Sequence, residues 1–139
     1  MNVIKKSGLP VILPLALFLI VSCKKPAGPG GKASIKGKIY VKDFNTAAYG
    51  PPISEYYGAG ETVYICYGTN TAVGNTVKTS TDGSFEFLYL RKGHYKIFAL
   101  SRDTSIHVAG SNKTIPVEVS IDISGTKQIV NVPDITINQ

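Results

Sequence analysis

The side chains in this sequence able to carry reaction chemistry are few: two histidines, His94 and His107, and two cysteines, Cys23 and Cys66, in 139 residues. A hydrolytic zinc site needs three protein ligands converging on one ion, usually His and carboxylate, with a general base beside them. The two histidines stand thirteen residues apart, and neither belongs to an H-x-x-E or H-E-x-x-H spacing. They read as surface or loop histidines. A serine or cysteine hydrolase needs a nucleophile beside a base and a pair of oxyanion donors, and no G-x-S-x-G or equivalent string occurs. Asp43, Asn45 and Glu61 offer the oxygen ligands that Ca²⁺ prefers, but their spacing matches no calcium loop, and Asx-turn chemistry accounts for the first two. The reading is a non-enzyme with no metal and no cofactor. Cys66 is expected to be a small buried hydrophobe.

Binding chemistry is better represented. Between Asp43 and Gly60 lie Phe44, Tyr49, Tyr56 and Tyr57. Tyrosine joins a large apolar face to a polar tip at low entropy cost, so these four residues could form a platform for sugar rings or for a protein partner. Alternatively the loop folds back and covers its aromatics on a sheet edge. The lack of Trp takes something from the sugar-binding version.

The N-terminus carries an address. Lys5 and Lys6 precede an apolar stretch from Leu9 to Val21, which is 13 residues long and contains Pro10 and Pro14. That is short of the roughly 20 residues a membrane span needs, and it has the layout of an export signal over residues 1–22. Ile20-Val21-Ser22-Cys23 resembles the lipobox of bacterial lipoproteins. The resemblance implies diacylglyceryl attachment to the Cys23 sulfur, cleavage before it, and acylation of the new amine. Two or three chains at about 0.8 kcal/mol per buried CH₂ hold a protein on a bilayer. Lys24 rather than Asp after the lipid site is compatible with the outer membrane. Residues 23–33, dense in Pro and Gly, are expected to be a flexible tether. Lys24, Lys25 and Lys32 make a weak patch, read as solvating that tether rather than gripping head groups.

The formal charge of +6 comes from this leader and tether, because the segment from Ala33 onward has ten basic residues against nine acidic ones. A nearly neutral domain lacks the footprint for nucleic acid. Its sequence is a series of strands. Ile35, Ile39 and Val41 alternate with Lys36, Lys38, Tyr40 and Lys42, and further strands are predicted at 61–69, 73–80, 84–90, 94–101, 114–124 and 127–137. Thr81-Asp82-Gly83 is expected to close a hairpin between two of them. Both faces of 94–101 are partly apolar, which suits a central strand, whereas Pro116 suits an edge. The apolar phase slips between Val132 and Ile135, and a bulge at Pro133-Asp134 would restore it. One apolar face per strand requires two mutually covering layers, so the predicted fold over 34–139 is a seven-stranded antiparallel β-sandwich.

Four strings, Ile35-Lys36-Gly37-Lys38-Ile39-Tyr40-Val41, Gly60-Glu61-Thr62-Val63-Tyr64-Ile65, Thr79-Ser80-Thr81-Asp82-Gly83-Ser84-Phe85-Glu86-Phe87 and Leu90-Arg91-Lys92-Gly93-His94-Tyr95-Lys96-Ile97-Phe98-Ala99, resemble the carboxypeptidase regulatory-like family. Domains of that family are similar to transthyretin in fold, which implies its Greek-key order. The resemblance implies a non-catalytic module that serves as spacer or contact domain, here alone on a lipid anchor with an envelope protein as partner. The long loop after Asp43 departs from the family. The Tyr-Arg-Gly-Ser tail of transthyretin-like ureide hydrolases is replaced by Ile137-Asn138-Gln139. The alternative function is a lipoprotein that binds carbohydrate or a small ligand through residues 43–60.

Overall fold

The structure is a computed structural model that describes residues 25–44, 51–104 and 113–139. Among these residues the chain forms nine strands and no helix. They are β1 (Pro29–Asp43), β2 (Ser54–Tyr57), β3 (Thr62–Tyr67), β4 (Val73–Lys78), β5 (Ser84–Leu90), β6 (Gly93–Arg102), β7 (Thr114–Ile123), β8 (Ile129–Asn131) and β9 (Ile135–Asn138). The count is nine rather than seven for two reasons. Ser54–Tyr57, inside the predicted loop, pairs with the end of β1 through Tyr40↔Tyr57 and Val41↔Tyr56. The last predicted strand is split in two.

That split follows from the phase slip. β8 runs parallel to β1 with Ser34 opposite Ile129, β9 runs parallel with Ile39 opposite Ile135, and the register advances by one residue between them. The extra residue lies within Val132-Pro133-Asp134, where Val132 N–H still donates to the Lys36 carbonyl at 2.8 Å. This is the irregularity expected there, and it turns Ile135 and Ile137 into the core.

β1 is the axis of the first sheet. β5 and β2 follow one edge in antiparallel sense, and β8 and β9 follow the other. The second sheet is antiparallel in the order β4-β3-β6-β7. β6 is therefore central and β7, with Pro116, is an edge, as their patterns imply. The two sheets face each other over one apolar core. Ile35, Ile39, Phe85, Phe87 and Ile135 come from the first sheet, and Val63, Ile65, Tyr95, Ile97 and Ile121 from the second. Among the described residues every buried apolar one lies between Ala33 and Ile137. This described core lies wholly within residues 25–139.

Two expectations need correction. Thr81-Asp82-Gly83 makes the tight turn, with Gly83 at φ 77° and Asp82 accepting from Ser84 N–H at 3.1 Å, but it does not close a hairpin. β4 pairs with β3 and β5 with β1, so the turn carries the chain from one sheet to the other. Turn residues dictate a reversal, whereas the partner of each strand is set by which apolar face must be covered. The expected flexible tether also ends early, since β1 begins at Pro29.

The start of β1 is held from inside the core. Tyr95 is fully buried, and its hydroxyl accepts from Gly28 N–H at 3.0 Å while lying 2.7 Å from the Arg91 carbonyl. Arg91 N–H donates to the Gly28 carbonyl at 2.9 Å. Here the backbones run so close that a Cβ on Gly31 would collide with the Leu90 carbonyl. One phenol therefore joins the N-terminal segment to the β5–β6 connection.

Candidate functional site

The four predicted contact aromatics are not brought together. Pairing of β2 with β1 sends Tyr56 to the face of Val41 and Tyr57 to the opposite face, beside Tyr40. Both tyrosines stay exposed, although their segment has joined the sheet edge. Phe44 follows the end of β1, about 13 Å along the strand from Tyr40 at roughly 3.3 Å per residue. Its backbone is tied to Arg102 and Gln139, its carbonyl accepting from Arg102 Nη2 at 3.0 Å. Tyr49 and Cys23 lie outside the described residues.

What the structure assembles instead is a polar network on the outer face of the first sheet, built on Tyr57. Its ring packs edge-on to Tyr40, with centroids 5.4 Å apart and planes at 74°. Its hydroxyl donates to Asp134 Oδ2 at 3.0 Å, and Lys38 Nζ lies 4.7 Å from the ring centroid. Lys38 also pairs with Asp82 at 3.2 Å, and Ser84 Oγ donates to Asp82 at 2.6 Å. Lys36 meets Glu86 at 3.2 Å, and Glu55 takes Lys42 at 3.3 Å and the Tyr40 hydroxyl at 3.1 Å. The register explains the arrangement. Successive outward residues of β1 are Lys36, Lys38, Tyr40 and Lys42, and each meets an acidic or aromatic partner across the sheet or in the flanking turn.

Part of this network, Lys36, Lys38, Ser84, Glu86 and Asp134, lines an open cleft of about 670 Å³ together with Asn131. Phe85 and Val132 add apolar wall. The bond to Asp134 holds the Tyr57 phenol above its ordinary value, and desolvation with the bond to Glu55 does the same for Tyr40. Asp82 moves the other way, to about 2, through the Ser84 hydroxyl and amide and then Lys38. A carboxyl depressed in this manner stays ionised at neutral pH, the reverse of what a general acid needs. The cleft thus presents acceptors (Glu86, Asp134) and donors (Lys36, Lys38), with Tyr57 tied to Asp134 and Asp82 to Lys38 behind them, an arrangement that suits hydrogen bonding to hydroxyl-rich molecules.

No protein-family profile matches the chain, and no curated protein matches it in sequence. Its fold is similar to that of solved structures. The crystal structure of a candidate carbohydrate-binding protein from Pseudomonas aeruginosa superposes with a TM-score of 0.51 at 18% sequence identity, covering 79% of this chain and 91% of that one. The likeness is one of fold. It supports a two-sheet, all-β architecture for this chain and leaves the cleft to be judged on its own residues.

Among the described residues no group of three or more His, Cys, Asp and Glu could hold a metal ion. His94 faces Asp122 across β6 and β7, with Nδ1 2.9 Å from Oδ1, and both side chains are exposed. Cys66 is buried, as its residue type suggests, with Sγ 3.7 Å from the Thr71 carbonyl. The sequence reading missed Tyr40, Lys38, Asp82 and Asp134 as companions of Tyr57. The signal available was Ser54-Glu55-Tyr56-Tyr57, whose tyrosines have strand propensity, followed by the turn-forming Gly58.

Proposed function

We propose that this chain is a non-catalytic, lipid-anchored protein of the cell envelope whose sandwich acts as a binding module, with carbohydrate as the ligand class. Acylation of Cys23 after removal of residues 1–22 provides the anchor, on the outer membrane, and kinship with the carboxypeptidase regulatory-like domains gives the module its spacer-like build. The observation that carries the binding reading is Tyr57, exposed and held by Asp134 and Lys38, both of which line the cleft. Saccharides are bound by such a combination, in which a ring edge or face meets the sugar's C–H groups while paired charges meet its hydroxyls. The fold neighbour's description as a candidate carbohydrate-binding protein agrees with this choice of ligand class.

The test is a glycan array followed by calorimetric titration of residues 25–139 with the best ligand. Tyr57→Ala should weaken binding about tenfold, the worth of one aromatic contact. Equal affinity in wild type and variant overturns the cleft assignment. Capture of an envelope protein through the same residues, with no glycan bound, transfers the surface to protein contact. For the anchor, full-length Cys23→Ser should leave the membrane fraction.

A further inference from the structure

The cations of this domain are not evenly neutralised. Lys36, Lys38, Lys42, His94, Lys96 and Lys113 each pair with a carboxylate. Seven further cations make no ion pair among the described residues, Lys78 at the first cleft and Arg102 on the Phe44 carbonyl among them. Three of the seven, Lys25, Arg91 and Lys92, meet at one place, a second cleft of about 590 Å³ completed by Gly30, Leu90 and Thr126, with no acidic residue in its lining. Lys32 and Lys127 flank it in sequence. The Tyr95 hydroxyl fixes the cleft from below by joining Gly28 to Arg91.

Exposed apolar groups adjoin the cations. Tyr89, Leu88 and Ile129 are 69%, 52% and 60% exposed. Leu88 and Tyr89 directly precede Leu90, which lines the cleft, and Ile129 lies across the other edge of β1 opposite Ser34, so the exposed apolar residues flank the cleft from both edges of β1. Tyr89 is also the non-glycine residue held at positive φ, 59°, among the described residues. That backbone conformation is disfavoured for an aromatic residue and tends to be kept where a site requires it.

The chain places this end near the anchor. Lys25 is two residues from Cys23, a reach of about 7 Å, and Gly28, already pinned by Tyr95, is five residues away, at most about 18 Å. This is a short leash. We infer that the N-terminal end of the sandwich rests on the bilayer, with the phosphate of an anionic lipid headgroup in the Lys25–Arg91–Lys92 cleft and Tyr89, Leu88 and Ile129 at the interface. Basic side chains next to aromatic and aliphatic ones are the composition of interfacial membrane contacts. Lys25, which sequence alone assigns to solvating a tether, shares this cleft with Arg91 and Lys92 and so becomes part of a patch. The inference rests on the lipoprotein reading for the position of Cys23 and goes beyond it in assigning a surface.

The experiment uses residues 25–139, which lack Cys23, so that binding reports the surface alone. Co-sedimentation is measured with vesicles of phosphatidylcholine and of phosphatidylcholine mixed with phosphatidylglycerol. Binding to the anionic vesicles only, weakened by salt and by competing inorganic phosphate, supports the inference. Arg91→Gln/Lys92→Gln should then bind roughly thirtyfold more weakly. Lys92→Gln alone, at a solvent-exposed side chain, should lose part of this while melting like wild type, and Tyr89→Ala should lose severalfold. An equal loss in Lys36→Gln/Lys38→Gln overturns the inference, because net charge and not the cleft would then be responsible. Saturation by inorganic phosphate without vesicle binding assigns the site to a free anion and overturns the lipid source. Failure of 25–139 to bind either vesicle refutes the surface even where full-length Cys23→Ser leaves the membrane, so the two readings fail separately.

Discussion

Replacing Tyr95 by Phe removes one oxygen from the middle of the fold. The ring stays, so no cavity of consequence forms, and the edge-on contact with Tyr67 at 6.0 Å is retained. Lost are the bond from Gly28 N–H at 3.0 Å and the bond to the Arg91 carbonyl at 2.7 Å. Gly28 is buried and has no water to turn to, whereas Arg91 is half-buried and its carbonyl is partly recovered by solvent. A buried group left unsatisfied costs about 1–3 kcal/mol, so the expected loss is about 2–3 kcal/mol. Urea denaturation of residues 25–139 should show the midpoint fall with the slope unchanged, since the area exposed on unfolding is the same. Hydrogen exchange should accelerate at Gly28 and Arg91 before the core strands. Tyr67→Phe is the control, because the Tyr67 hydroxyl makes no hydrogen bond among the described residues, and it should stay within about 0.5 kcal/mol. A Tyr95→Phe loss as small as that control, or unaltered protection at Gly28, would refute the view that this phenol holds the start of β1.

Three further outcomes are expected. Gly31→Ala should destabilise by about 2 kcal/mol or more in a thermal melt, because the Leu90 carbonyl occupies the space its Cβ needs and Leu90 is held in place by pairing with both Pro29 and Ala33. Asp82 has a folded pKa of about 2 against 3.8 ordinarily, so its network contributes above the ordinary value and that contribution is lost as pH falls through about 2. The stability gap between wild type and Asp82→Asn, read from urea midpoints, should accordingly close across that window, and a constant gap would contradict the assignment. Asp134→Asn should lower the Tyr57 phenol toward its ordinary value, seen as an earlier step in an ultraviolet titration, since the carboxylate is what raises it.

Much of the architecture could be read from period-two patterning. Ile35, Ile39 and Val41 on one side of β1, and Phe85 and Phe87 on β5, declare their buried face because a strand has only two faces to offer. Pro116 declares an edge because it cannot donate to a ladder. Short-range pattern does not declare partners. The turn at Asp82-Gly83 looks like a hairpin locally, and only the competition between β1 and β3 for the strands on either side of it decides otherwise. β2 escaped notice because its four residues are all exposed and so carry no burial pattern. The cleft was hidden for the same reason. Lys38, Asp82, Tyr57 and Asp134 are far apart in the chain, and register alone makes them neighbours. Of the predicted contact residues Tyr57 touches two residues that line the cleft, Asp134 and Lys38, while Phe44 and Tyr56 are carried elsewhere by strand direction and alternation.

The parallel pairing of β8 and β9 with β1 also sets an order of events. Whenever the chain is delivered N-terminus first, by synthesis or by threading, β1 arrives at the outset and one of its edges must wait for the final strands. Such distant pairings form slowly, and an idle strand edge invites a second copy to dock there. Lys36, Lys38 and Lys42 recur along that strand, and two copies meeting edge to edge would bring these ammonium groups together. The lysines that later partner acidic neighbours thus have an earlier duty, keeping the first strand single until the last one reaches it.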